Sequence, residues 1–110
     1  MTPQIIAIML VRNEDRFLRR AAMNILGFCD RILIADHQSQ DATPEICEEL
    51  ARTSPKFEIY RVRDPRESHE MLVPLANTRT WVFGVDGDEI YDPVGLARIR
   101  ARLTAGEWDK

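Results

Sequence analysis

Residues 5–11 form a run of seven consecutive apolar residues, four of them the β-branched Ile or Val. A strand that is apolar at every position is covered on both faces, as strands of parallel sheets usually are. The run is far too short to span a membrane, and it lacks the charged start and the cleavage site of a secretory signal. We therefore predict a buried strand in a sheet that has layers on both sides.

Strands and helices alternate along the rest of the chain. Further strands are predicted at residues 31–36, 57–62 and 81–85. Strands joined by helical crossovers form a parallel sheet with helices on its two faces. The pattern therefore predicts an α/β fold, a three-layer sandwich with a mainly parallel sheet.

Three helices are predicted from their start signals. Asn13 is interpreted as the cap of a first helix that ends at Gly27, Thr43 as the cap of a second, and Asp92 as the start of a third. Between the third and fourth strands we expect a short helix followed by an extended link. Ser39 and Asp41, with Thr43, are interpreted as formers of local hydrogen bonds that shape the loop before the second helix.

Composition narrows the class of protein. A chain of 110 residues has room for one core, so we predict a single domain over residues 1–110. The net charge of −3 does not favour binding to nucleic acid. Cys29 and Cys47 lack metal-type spacing, and we predict that both are reduced, in keeping with a cytoplasmic protein.

Acidic residues follow two of the predicted strands. Asp36 ends the second strand, and Asp86 and Asp88 flank a glycine after the fourth. Carboxyl ends of parallel strands meet at one edge of a sheet, where ligands bind. An Asp-x-Asp sequence is by itself more often a solvated turn, but this context favours a divalent cation and a phosphate-bearing ligand. A metal-dependent phosphatase is a weaker alternative, because such enzymes carry aspartates after the first strand.

Three motifs occur together in this chain. They are Val11-Arg12-Asn13-Glu14, then Asp36 with Ser39, Asp41 and Thr43, and then residues 81–89, Trp-Val-Phe-Gly-Val-Asp-Gly-Asp-Glu. In this order and spacing they resemble the N-terminal, donor-binding half of a family 2 glycosyltransferase, which has the nucleotide-diphospho-sugar transferase fold. The match extends from about residue 5 to about residue 93.

The resemblance implies roles for five residues. Asp36 would contact the nucleoside base, and Asn13 and Glu14 would line the same pocket. Asp86 would lie near the ribose, and Asp88, followed by Asp86, would ligate the Mg²⁺ or Mn²⁺ ion that bridges the diphosphate. A carboxylate about 5 Å from a phosphate charge repels it by roughly 3 kcal/mol at an effective dielectric near 20, and a cation between them converts that repulsion into a bridge.

The chain also departs from the family pattern. His37, Gln38 and Ala42 replace the residues usual after the first aspartate, and neither Arg66 nor Arg79 is a clear counterpart of the basic residue ahead of the metal motif. We find no residue to assign as the catalytic base, which in the family comes from beyond the metal motif. We therefore expect either a piece of a longer enzyme or a reduced relative.

Two functional hypotheses follow. The first is a glycosyltransferase that binds a nucleoside diphosphate sugar through the metal and transfers the sugar to a hydroxyl of a saccharide, lipid or protein acceptor. The alternative is a non-catalytic binding or assembly module that keeps the fold but lacks the acceptor site and the base. An uncovered sheet edge or apolar face would favour self-association, so a homo-oligomer is a further expectation.

Overall fold

The computed structural model describes residues 3–64, 66–70, 80–85 and 91–104. Four strands and four helices alternate along these ranges. They are β1 Gln4–Val11, α1 Leu18–Ile25, β2 Arg31–His37, α2 Thr43–Thr53, β3 Phe57–Val62, α3 Glu67–Glu70, β4 Thr80–Gly84 and α4 Pro93–Thr104. Each strand lies within one residue of its predicted bounds, because apolar runs between polar loops mark strands clearly.

The strands form one parallel sheet in the order β3-β2-β1-β4. Asp36, near the end of β2, is the register partner of Val11 on β1 and of Arg61 on β3. Gly84, the last residue of β4, pairs with Ile8 of β1. The loops that follow all four strands therefore leave from the same edge of the sheet.

One face of the sheet forms the main core with helices α1, α2 and α4. Register partners share a face, so alternate residues of β1 and β2 point together into this core. The strand residues in this core are Ile5, Ala7, Met9, Val11, Ile32, Ile34 and Phe57. The connection from β3 to β4 contains α3, and residues 65 and 71–79 of it lie outside the described ranges.

The first helix starts later than predicted. Asn13 does not cap it, because α1 begins at Leu18, and Asn13 itself adopts a left-handed backbone conformation with φ 52°. Its side-chain Oδ1 instead accepts a hydrogen bond of 2.8 Å from the backbone N–H of Gln40 in another loop. The end was also misplaced, since α1 stops at Ile25 and Gly27 is not in the left-handed region.

The starts of the other two long helices are closer to the prediction. Thr43 is the first residue of α2 rather than its cap, and the residue before it, Ala42, makes no capping hydrogen bond through its side chain. Asp92 does precede α4, where its carboxylate accepts hydrogen bonds from the N–H groups of Val94 and Gly95 at 3.2 and 3.3 Å. That arrangement satisfies two of the backbone donors that a helix start leaves unpaired.

Helix α4 is tied to the amino edge of the sheet by an ion pair. The Arg100 guanidinium donates to Oδ1 of Asp30 at 2.9 Å and to the carbonyl oxygen of Phe28 at 2.7 Å. Oδ2 of Asp30 accepts from the N–H of Ile5 at 2.7 Å. These contacts fasten α4 to the start of β1, at the edge opposite the loops that carry the candidate site.

Candidate ligand-binding site

Asp36 is a buried carboxylate at the carboxyl edge of the sheet. Its side chain lies where β2 ends, and the residue is only 3% exposed. Oδ1 accepts a hydrogen bond of 3.2 Å from the N–H of Ser39. Among the described residues it has no ion-pair partner, so its carboxyl oxygens keep unused acceptor capacity. A carboxylate in this position is suited to accept hydrogen bonds from a ligand.

Hydrogen bonds join the loop after β1 to the loop after β2. Three successive backbone N–H groups of the first loop, those of Asn13, Glu14 and Asp15, donate to side chains of the second. Their acceptors are Oγ of Ser39 at 2.9 Å, Oγ1 of Thr43 at 2.9 Å and Oδ2 of Asp41 at 3.2 Å. Side chains of the second loop and of the start of α2 therefore provide hydrogen-bond acceptors for the backbone N–H groups of the first loop.

The bonding between the two loops is reciprocal. Asn13 accepts from the N–H of Gln40, and Oδ2 of Asp15 accepts from the N–H of Ala42 at 3.4 Å. Within the second loop, Oδ1 of Asp41 accepts from the N–H of Thr43 at 2.9 Å, as the predicted local bonding requires. Because each loop donates to and accepts from the other, the two form one unit beside Asp36.

The pKa of the Asp41 carboxyl reflects this bonding. Desolvation raises the pKa, but hydrogen bonds from Thr43 and Asp15 lower it more, so the pKa lies below its ordinary value of 3.8. Asp41 is therefore ionised at neutral pH, and its charge-assisted bonds help to hold the loops together.

Two residues of these loops have left-handed backbone conformations. Asn13 and Gln38 have φ values of 52° and 53°. Asparagine adopts this conformation readily, but for glutamine it costs roughly 1 to 2 kcal/mol. Strain of this kind is concentrated at functional sites, where the surrounding structure maintains it. Gln38 lies two residues after Asp36, so the strain supports a functional role for this edge of the sheet.

A polar cavity of about 380 Å³ lies against Asp36. Residues from the ends of β2 and β3 and from the start of α2 surround it. They are Asp36, Gln38, Ser39, Pro44, Arg61, Val62 and Arg63. The side chain of His37 links the ends of β2 and β3 beside the cavity, since its Nε2 donates a hydrogen bond of 3.0 Å to the carbonyl oxygen of Arg63. The cavity is large enough for a ring with polar substituents.

Of the seven residues that line this cavity, sequence reasoning assigned a binding role to Asp36 alone, and the residues that it did not assign include Gln38, Arg61 and Arg63. The sequence did contain a signal for the two arginines. Arg61 and Arg63 stand on either side of Val62 at the end of the third predicted strand, as Asp36 stands at the end of the second. Asn13 and Glu14, predicted to share the pocket of Asp36, lie on the neighbouring loop and are not among the residues that surround the cavity. Their role in binding stays a prediction.

The predicted metal ligands Asp86 and Asp88 lie outside the described residues, so their role stays a prediction. The chain that leads to them is placed, since Val85 is buried and its N–H donates to the carbonyl oxygen of Ile8 at 3.0 Å. Within the described ranges, no three His, Cys, Asp or Glu side chains are grouped closely enough to hold a metal ion.

Arg66, weighed as a counterpart of the family's basic residue, forms an ion pair with Asp64 at 2.8 Å and is largely exposed. The other arginine considered for that role, Arg79, is not in a described range. In the described ranges no helix is long and apolar enough to cross a membrane.

No protein-family model and no curated protein sequence matches this chain. Solved structures do match. The crystal structure of S. aureus TarS 1–349 in complex with UDP superposes with a TM-score of 0.71 at 17% identity, over 94% of this chain and 33% of that one. The mannosyltransferase PcManGT from Pyrobaculum calidifontis, in complex with GDP-Man and Mn²⁺, gives a TM-score of 0.67 at 17% identity, over 93% and 33%.

These matches confirm the predicted fold. The four-stranded parallel sheet has the architecture of the N-terminal part of GT-A glycosyltransferases. At 17% identity the likeness concerns the fold alone, and the chain spans about a third of the length of each solved structure.

Proposed function

We propose that this chain binds a nucleoside diphosphate sugar at the carboxyl edge of its sheet, with the base next to Asp36. The observation that carries the proposal is the buried carboxylate of Asp36, which retains acceptor capacity and faces a polar cavity of about 380 Å³. The fold adds support, because the two similar structures were solved with UDP and with GDP-Man.

In this proposal Asp36 accepts a hydrogen bond from an N–H group of the base. Burial makes such a bond more valuable than it would be in water, because fewer water molecules compete for the carboxylate. The joined loops after β1 and β2 hold Asp36 and Ser39 in place before the ligand arrives. Such preorganisation lowers the entropic cost of binding.

Asp88, together with Asp86, would hold Mg²⁺ or Mn²⁺ in this proposal. A set of carboxylate oxygens fits these hard cations. The bond between Val85 and Ile8 extends the pairing of β4 with β1 by one residue in the direction of the carboxyl edge, the edge at which Asp36 lies. When bound, the ion would offset the charge of the diphosphate. The residues of the chain would supply its ligands and recognise the base.

Sugar transfer is proposed only for the whole protein. The chain corresponds to about a third of each similar solved structure, and we assign no catalytic base within its described ranges. In the complete protein the sugar would pass to a hydroxyl group of a saccharide, lipid or protein. A non-catalytic module would instead bind the donor without transferring the sugar.

A thermal-shift panel tests the binding proposal. Melting temperatures are measured with UDP or GDP, with and without Mn²⁺, on wild type, Asp36→Asn, Asp88→Asn and the control Glu48→Gln, which changes an exposed acid on α2. The proposal predicts a Mn²⁺-dependent rise in Tm for wild type and the control, and its loss in both aspartate variants. The absence of a shift with either nucleotide in wild type would contradict the proposal.

A further inference from the structure

Helices α1 and α4 lie side by side on one face of the sheet. The side-chain amide of Asn24 on α1 donates a hydrogen bond of 2.9 Å to the carbonyl oxygen of Tyr91 and accepts one of 2.7 Å from its N–H, two residues before α4 begins. Leu18 and Ile25 of α1 and Leu103 of α4 are buried in the same core. Since each helix turns one face to the sheet, their opposite faces form a common outer surface.

Positive charge is concentrated on these two helices. They contain five arginines and no acidic residue, although the chain as a whole has a net charge of −3. Arg19 and Arg100 pair with acids outside the two helices, and Asp92, which precedes α4, is engaged by N–H groups of the helix start. Arg20 and Arg98 are exposed and, in the part of the chain that the structure describes, form no ion pair. Their charges are therefore available to an anionic partner.

Exposed apolar side chains lie among these arginines. Within the described ranges seven large apolar side chains are exposed, and four of them, Phe17, Met23, Val94 and Ile99, belong to α1, to α4 or to the residue before α1. The Arg16 guanidinium lies over the ring of Phe17, with its central carbon 5.9 Å from the ring centroid. Exposed apolar groups that gather on one surface mark an interaction site. The basic helical surface defined in this way consists of Arg16, Phe17, Arg20, Met23, Val94 and Arg98.

We infer that the basic helical surface binds a lipid bilayer that contains anionic lipids. Its guanidinium groups donate charge-assisted hydrogen bonds to lipid phosphates, and its apolar side chains enter the boundary between headgroups and acyl chains. The neighbouring helix α2 carries Glu45, Glu48 and Glu49, so an anionic bilayer contacts α1 and α4 and is repelled by α2. Nucleotide binding at Asp36 is not required for this contact.

The shape of the surface favours a bilayer over an acidic peptide. A partner helix inserts a row of side chains, three or four residues apart, into a long apolar groove. The cleft between α1 and α4 has a volume of only about 200 Å³ and is bordered by the polar side chain of Asn24. Met23 and Val94 are exposed on the helices and do not line this cleft. A bilayer adapts to projecting side chains of this kind, whereas a folded partner would need matching pockets.

Vesicle co-sedimentation of the full chain tests this inference. Vesicles of phosphatidylcholine, with and without phosphatidylglycerol, are mixed with wild type, with Arg20→Gln/Arg98→Gln, and with the matched control Arg52→Gln/Arg66→Gln. The control removes the same charge from exposed arginines outside the basic helical surface. Wild type and the control should bind only the vesicles with phosphatidylglycerol, and more weakly at high salt. Arg20→Gln/Arg98→Gln should bind them at least about tenfold more weakly, since each arginine near the bilayer contributes about fivefold.

An apolar variant, Met23→Gln/Val94→Ser, should bind at least about threefold more weakly than wild type, because it removes side chains that enter the bilayer. The melting temperatures of all variants should stay close to that of wild type, since the substituted side chains are exposed. Absence of vesicle binding by wild type would overturn the inference, as would equal losses in the charge variant and its control, or full binding by the apolar variant. Binding to soluble polyglutamate without binding to vesicles would overturn it in favour of an acidic protein partner.

Discussion

The backbone N–H of Glu14 donates a hydrogen bond of 2.9 Å to Oγ1 of Thr43, a residue 29 positions later in the chain. Thr43 is fully buried at the start of α2. A fully buried N–H group that loses its partner costs about 1 to 3 kcal/mol, and the lower part of that range applies here because Glu14 is half-buried. Loss of this bond should therefore lower the stability of the joined loops beside Asp36.

Replacing Thr43 by Val removes the hydroxyl while keeping the shape of the side chain. We expect Thr43→Val to lower the free energy of unfolding by about 1 to 2 kcal/mol, as measured by urea denaturation. Thr53→Val is the control, because Thr53 is exposed and, within the described ranges, its hydroxyl donates only to the carbonyl oxygen of Glu49 in its own helix. The control should change stability by no more than about 0.5 kcal/mol. Equal losses in both variants would contradict the importance of the contact between the loops.

The contact between α4 and the amino edge of the sheet predicts a second stability effect. Arg100→Met leaves the carbonyl oxygen of Phe28 and the carboxylate of Asp30 without their shared donor. The ion pair is about one-third exposed, so solvent screening limits the expected loss to about 1 to 2 kcal/mol. Chemical denaturation should show no comparable loss for Arg98→Met, an exposed arginine of the same helix. A loss of the same size in both would show that the contact with Asp30 contributes nothing specific.

Asp30 also predicts how stability depends on pH. Burial raises the pKa of its carboxyl, but hydrogen bonds from Arg100 and the Ile5 N–H lower it more, so the pKa in the folded state lies below the ordinary 3.8. A carboxyl with a depressed pKa contributes stability that is present above its unfolded-state pKa and is lost as the pH falls through the folded-state value. Denaturation between about pH 5 and pH 2 should therefore show a shallower fall in stability for Asp30→Asn than for wild type. Identical slopes would refute this account.

The two cysteines should be unreactive in the folded protein. Cys29 and Cys47 are free and buried, and burial raises the pKa of each thiol to about 12. Cys29 borders an apolar cavity of about 140 Å³, but the residue itself is only 1% exposed. At about pH 8, mass spectrometry should find neither thiol alkylated by iodoacetamide in the native protein, and both alkylated in urea. Rapid alkylation of either under native conditions would be inconsistent with this burial.

Much of the fold was predictable because it is encoded locally. The apolar runs that became β1 and β2 lie between polar loops, and Asp92-Pro93 gives a complete local signal for the start of α4. The start of α1 was not predictable in this way. Asn13 and Thr43 are both good capping residues, but in the folded chain each bonds to the opposite loop. Local rules cannot anticipate a partner that lies nearly 30 residues away.

The candidate site was predicted only in part for a related reason. The position of Asp36 follows from the end of a strand, which sequence marks well. The cavity beside it depends on strand register, because only the pairing of β2 with β3 places Arg61 next to Asp36. Register is set by packing and loop geometry across the whole sheet. For this reason, Arg61 and Arg63 were recognised only in the structure.

The most direct test of the central claim is to map the binding surface by NMR. Backbone amide shifts are recorded while UDP, with Mg²⁺, is added to the full chain. The proposal predicts saturable shifts at residues 36–39 and 61–63, with little change at Asp30 and Lys56 on the opposite edge of the sheet. Shifts confined to that opposite edge, or no shifts at all, would contradict the claim that the nucleotide binds beside Asp36.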